Sequence, residues 1–174
     1  MKSFYRIAIT LILGSFATVA SAQDLASVVD NCNGCHGDDG ISQWTDVPTI
    51  GGMPEFTHAD ALYFFRDGDA TLEDLALYYF ELPFVAAQQD FDAGLAATGK
   101  AVHDKLCEKC HSDGGSNAED EAGILAGQWM GYLEATFAEY AAGDRDQDKS
   151  MKEKMDELSA DDTKALLHFY ASQQ

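Results

Sequence analysis

Residues Asn31–Gly40 read NCNGCHGDDG, and residues Lys105–Gly114 read KLCEKCHSDG. Each stretch holds a C-x-x-C-H motif: Cys32, Cys35 and His36 in the first, Cys107, Cys110 and His111 in the second. The motifs lie 75 residues apart, and the same offset relates Gly52 to Gly127 and Gly68 to Gly143. Between these glycines stand Leu62 and Phe65 in one half, and Phe137 and Tyr140 in the other. Each pair has the i, i+3 spacing of one helix face. Equal spacing at this many landmarks makes the chain two copies of one module.

The module reads as helical, and the fold class expected is all-α. Leu25, Val28 and Val29 precede the first motif at helical spacing, as Val102 and Leu106 precede the second. A loop rich in Gly and Asp follows each histidine, then a middle helix, then a terminal helix. Thr71 with Asp74, and Ser159 with Asp162, are capping boxes that would start the two terminal helices. Leu75, Tyr78, Tyr79 and Leu82 form an apolar face on one, and Leu166, Phe169 and Tyr170 on the other. Pro83 ends the first copy. The expected boundaries are a leader at 1–22, a first domain at 23–82, a connector at 83–97 and a second domain at 98–174. Copies this small have marginal hydrophobic cores and call for a staple.

The leader has the pattern of a cleavable export signal. Lys2 and Arg6 precede the apolar run Ile7–Ala20, and Ser21–Ala22 offers a small-residue cleavage site. No later stretch is long enough to span a membrane. Losing Lys2 and Arg6 with the leader takes the formal charge from −19 to −21. That charge repels nucleic acid and excludes it as a partner. The acids are spread along the chain, which suits a solvated acidic surface, though such a field can also steer a basic partner.

Four cysteines in an exported chain would ordinarily suggest two disulfides. Their placement in two C-x-x-C-H motifs points instead to covalent attachment of c-type haem. The two thiols would add to the haem vinyl groups, and the adjacent histidine would ligate the iron. A thioredoxin-like pair would need a β-α-β setting, which is absent. A single four-cysteine zinc site fits poorly with two equivalent motifs within a repeat. The expectation is two covalently bound haems, each forming the core of its copy. Cys32, Cys35, Cys107 and Cys110 are the attachment residues, and His36 and His111 the iron ligands.

With these motifs the chain resembles the dihaem class I c-type cytochromes of bacterial periplasms. FDAGLAATGKAVHDKLCEKCH, ILAGQW and LHFYASQQ in the second half are similar to the cytochrome subunit of flavocytochrome c sulfide dehydrogenase. The resemblance implies two tandem class I cytochrome c domains, each wrapped around a covalently bound haem, in the periplasm. It also implies an FAD-containing flavoprotein partner that oxidises sulfide, and a small soluble electron acceptor.

The same resemblance implies a methionine as sixth iron ligand, from the segment before the last helix. Met151, seven residues before Leu158, fits that place, with Met155 as its rival. A thioether there raises the reduction potential. The first copy lacks the segment: 16 residues lead from Gly143 to Ser159, but only 3 from Gly68 to Thr71. Its candidates are His58 on the middle helix, Met53 after the Gly-Gly pair, or an open position. Family likeness further implies that a backbone carbonyl supports each ligand histidine, from Pro48 in one copy and Gly123 in the other. His103 and His168 read as surface or packing residues.

The function expected is electron transfer from the FAD-containing subunit to the soluble acceptor, with no acid, base or nucleophile needed from this chain. A free dihaem carrier to a terminal oxidase is the alternative, and an enzyme or ligand sensor at the first haem is the third reading.

Overall fold

Backbone hydrogen bonds recur with the 75-residue offset. The N–H groups of Ile50 and Gly51 donate to the Gly40 carbonyl at 2.8 and 3.2 Å, and those of Leu125 and Ala126 donate to Gly115 at 2.9 and 3.1 Å. Gly52 donates to Tyr79 at 2.6 Å and Gly127 to Tyr170 at 2.9 Å, an equivalent pair whose donors keep the offset and whose acceptors, on the terminal helices, are 91 residues apart. The computed structural model that shows this describes residues 25–63 and 71–174. The leader at 1–22, Phe65, Gly68 and the side chain of Thr71 lie outside the described residues.

Among the described residues all regular structure is helical. The first copy holds α1 (Leu25–His36), α2 (Glu55–Tyr63) and α3 (Thr71–Phe80). The second holds α4 (Ala93–Leu106), the single turn α5 (Ser112–Gly115), α6 (Met130–Ala142), α7 (Lys149–Met155) and α8 (Ala160–Ala171). Short 3-10 turns lie at Asp38–Gly40 and Ala118–Asp120. None of these helices is long and apolar enough to cross a membrane. Residues 83–92 have no regular structure, so 93–97, read in sequence as connector, form the first turn of α4. Asp92 explains the early start: its Oδ1 accepts from the Leu95 N–H at 2.8 Å, a side-chain N-cap.

In each copy the motif helix packs against the terminal helix, α1 on α3 and α4 on α8. The α4–α8 crossing is close because of Gly99: a Cβ there would lie 2.0 Å from the Ala165 carbonyl oxygen. The core of the second copy gathers Leu133, Phe137, Leu166, Leu167, Phe169 and Tyr170. That of the first gathers Val29, Ile50, Leu75 and Tyr79. Each such side chain contributes about 1.5–3 kcal/mol by leaving water. Ser159 and Asp162 form the expected capping box at the start of α8. Gly40 turns the chain after the first motif at φ 71°, where a Cβ would meet Gly51 N at 2.7 Å and the Tyr79 ring at 2.9 Å. Only glycine fits both demands.

The copies meet through loops. Tyr132 N–H donates to the Thr45 carbonyl at 2.9 Å. Thr57, which holds the place of Tyr132, donates its hydroxyl to the Glu121 carbonyl at 2.5 Å. The two contacts exchange under the repeat to within one residue, so the halves face each other across an approximate two-fold. Trp129 Nε1–H donates to the Ser42 carbonyl at 3.1 Å. Gln89 of the connector ties in as well, donating to the Gln128 carbonyl at 2.7 Å and accepting from Met130 N–H at 2.9 Å.

Candidate functional site

Each motif closes the first helix of its copy. Cys32 packs against the first core and Cys107 against the second, while Cys35 and Cys110 are exposed. All four are free thiols. Burial pushes the Cys32 and Cys107 thiols above their ordinary range. Neither is the low-pKa thiolate of a redox-active pair. Each copy thus has one half-buried and one exposed sulfur three residues apart, with the histidine directly after the second.

The histidines take up their own places. His36 Nδ1–H donates to the Pro48 carbonyl at 2.9 Å, which leaves Nε2 with its lone pair available to a metal. His111 is partly buried, and its Nδ1 has no hydrogen-bond partner. The Gly123 backbone acts on this ring and favours its charged form, while burial, the larger effect, lowers its pKa. Gly123 is the counterpart of Pro48 by the 75-residue offset, and it falls short of hydrogen-bond geometry.

The candidates for the opposite side of each site divide differently. In the second copy Met155 packs against the hydrophobic core with Leu158, whereas Met151, on the same helix α7, is not drawn into that cluster. In the first copy seven residues, 64–70, lie in sequence between α2 and α3, and none of them is a methionine, whereas residues 143–159 between α6 and α8 include Met151 and Met155. His58, on α2, is buried at 8 % exposure, with Nδ1 unpartnered. Burial, and then the neighbouring His36, lower its pKa to about 4. Met53 sits in the tight turn after Ile50, its N–H donating to the Ile50 carbonyl at 3.3 Å.

His103 is more than a packing residue. It is fully buried; Nδ1 pairs with the Tyr170 hydroxyl at 3.0 Å and Nε2 with Glu108 Oε2 at 2.7 Å. Glu108 also accepts from Asp113 N–H at 3.2 Å and Gly114 N–H at 3.4 Å, and His103 is the leading cause holding its carboxyl below the usual range. The first copy has a simpler version, Tyr79 hydroxyl to Asn33 Oδ1 at 2.9 Å, with Asn33 at the place of Glu108. Each network fastens the terminal-helix tyrosine to the segment carrying the cysteines. Asn33 matches Glu108 by the 75-residue offset, and Tyr79 and Tyr170 are each the last residue but one of their terminal helix, which is the signal for it in the sequence. His168 is half-buried and accepts from Asp92 N–H at 3.1 Å, tying α8 to the start of α4.

The donors fit a haem better than a bare ion. Among the described residues no three His, Cys, Asp or Glu side chains converge to hold a metal. One histidine beside two free thiols, twice over, suits a group that brings its own ring of ligand atoms.

No family model and no curated protein matches the chain. Solved structures do. Reduced recombinant cytochrome c4 from Pseudomonas stutzeri superposes with a TM-score of 0.74 at 22 % identity, over 86 % of this chain and 97 % of that one. Cytochrome c4 from Acidithiobacillus ferrooxidans gives 0.71 at 20 % identity, over 82 % and 99 %. The fold is that of tandem class I cytochrome c domains. Thiosulfate dehydrogenase from Marichromatium purpuratum gives 0.67 at 24 % identity over 82 % of this chain, but only 36 % of that longer one. These likenesses establish the tandem cytochrome c fold and do not distinguish the sulfide dehydrogenase subunit from other proteins that share it.

Proposed function

We propose that this chain is an exported, periplasmic dihaem electron-transfer protein. The observation that carries the reading is the pair of C-x-x-C-H motifs in matching places on a tandem cytochrome c fold, with His36 already oriented by the Pro48 carbonyl. When bound, haem supplies a one-electron iron couple at each site. Cys32 and Cys35 would hold one group, and Cys107 and Cys110 the other, through thioether bonds. His36 and His111 would each ligate one iron, and Met151 would complete the second site. Met155 is already engaged in the core. The core side chains around each motif exclude water, and Gln128, Trp129 and Tyr132 hold the two modules against each other.

Two one-electron sites on one chain match a two-electron donor such as a reduced flavin. The donor inferred is the FAD of a sulfide-oxidising partner subunit, supported by the likeness of FDAGLAATGKAVHDKLCEKCH and ILAGQW to the cytochrome subunit of such complexes. A free carrier is the second reading. It is favoured by the cytochrome c4 neighbours, of which this chain covers 97 % and 99 %.

The test is purification of the native protein after maturation in a competent host. Two covalently bound haems per chain by mass, reduced on adding sulfide in the presence of a co-purifying flavoprotein, support the partnership. Two haems with no flavoprotein support the carrier, and absence of covalent haem overturns both.

A further inference from the structure

In this fold His58 stands where the second copy has a core leucine. His58 N–H donates to the Pro54 carbonyl at 2.9 Å, and Leu133 N–H donates to Trp129 at 3.1 Å, the same bond shifted by 75 residues. Leu133 is 1 % exposed and belongs to the second core. His58 is 8 % exposed, lies 5.4 Å from the Tyr79 ring centre, and leaves Nδ1 without a partner. A buried polar group without a partner destabilises the fold, a cost that leucine at the same place avoids. The second copy also carries α7 with Met151, while the stretch between α2 and α3 of the first holds no methionine.

We infer that His58 is the second axial iron ligand of the first haem, so that the two copies hold chemically different centres: His36 with His58 in one, His111 with Met151 in the other. This rests on the dihaem reading above. Met53 is set apart from the role by its register. It holds the place of Gln128, whose N–H donates to Leu125 as that of Met53 donates to Ile50, and the second copy uses this position to cross the domain boundary. Replacing a thioether by an imidazole lowers the potential of the centre that carries it. The first centre is therefore the lower-potential one, and an electron held there passes downhill to the second.

Near-infrared magnetic circular dichroism and EPR of the oxidised, full-length holoprotein test this without any substitution. Expected are one bis-imidazole and one methionine–imidazole low-spin centre in equal amounts. His58→Leu should remove the bis-imidazole signal, leave the methionine one, and give a first centre that binds cyanide or imidazole. His58→Gly should regain a bis-imidazole signal on adding imidazole. Met53→Leu should change neither signal. Two methionine centres, or a high-spin first centre in the unsubstituted protein, overturn the inference while two covalent haems per chain keep the dihaem reading. Signals unchanged in His58→Leu overturn it likewise. A chain without covalent haem overturns both together.

Discussion

Gln128 grips the backbone of Thr49 from the other half of the molecule: its Nε2–H donates to the Thr49 carbonyl at 2.6 Å and its Oε1 accepts from the Thr49 N–H at 3.2 Å. Both residues are buried. Thr49 follows Pro48, whose carbonyl orients His36. One side chain of the second copy thus braces the segment that sets a ligand in the first.

Gln128→Leu would leave the Thr49 N–H and carbonyl unpaired in the interface. Each orphaned group costs about 1–3 kcal/mol. The expected outcome is a lowered Tm and, by calorimetry, separation of one thermal transition into two as the copies uncouple. A single transition at unchanged Tm would refute the brace.

Met151 and Met155 are separable by substitution. Met151→Leu should abolish the methionine-to-iron charge-transfer band of the oxidised protein and lower the potential of the second centre, with far-UV circular dichroism unchanged. Met155→Ala should keep the band and lose about 1–2 kcal/mol of stability, because Met155 is half-buried and packs against the core. The reverse pattern would exchange their roles.

Glu108 gives a pH dependence with a definite sign. His103, its leading partner, holds the folded carboxyl below the ordinary value of 4.5. A depressed carboxylate stabilises the fold fully above its unfolded pKa, and that contribution is lost as pH falls through the folded pKa. The Tm gap between the unsubstituted protein and Glu108→Gln should therefore be level above the ordinary value and close as the solution is made more acidic. A gap that widens on acidification would contradict the pairing.

Ser159→Ala removes one side of the capping box on α8, whose hydroxyl accepts from Asp162 N–H at 3.1 Å. A loss of about 1 kcal/mol is expected by urea unfolding, as for other N-cap serines. Spectra of the second centre should be unaffected.

Much of this molecule was legible in its sequence because the deciding signals are local or periodic. Covalent spacing within C-x-x-C-H sets which atoms lie together whatever the rest of the chain does. The 75-residue repeat survives as matched backbone bonds at Gly40 and Gly115, and Ser159 with Asp162 caps its helix as the spacing implies. The connector was read too long because Asp92 starts α4 five residues early, and a lone N-cap without a box is a weak signal.

The sequence by itself determined the module, its duplication and the chemistry of each motif, since these depend on neighbours along the chain. Only the tertiary structure decided that His103 is buried between Tyr170 and Glu108, that Gln128 reaches Thr49, and that His58 occupies a core position. The Tyr170 and Thr49 contacts join residues 67 and 79 positions apart. Such contacts leave no local spacing to read, because packing two helical copies face to face creates them, and burial then turns an ordinary polar side chain into one that must find a partner.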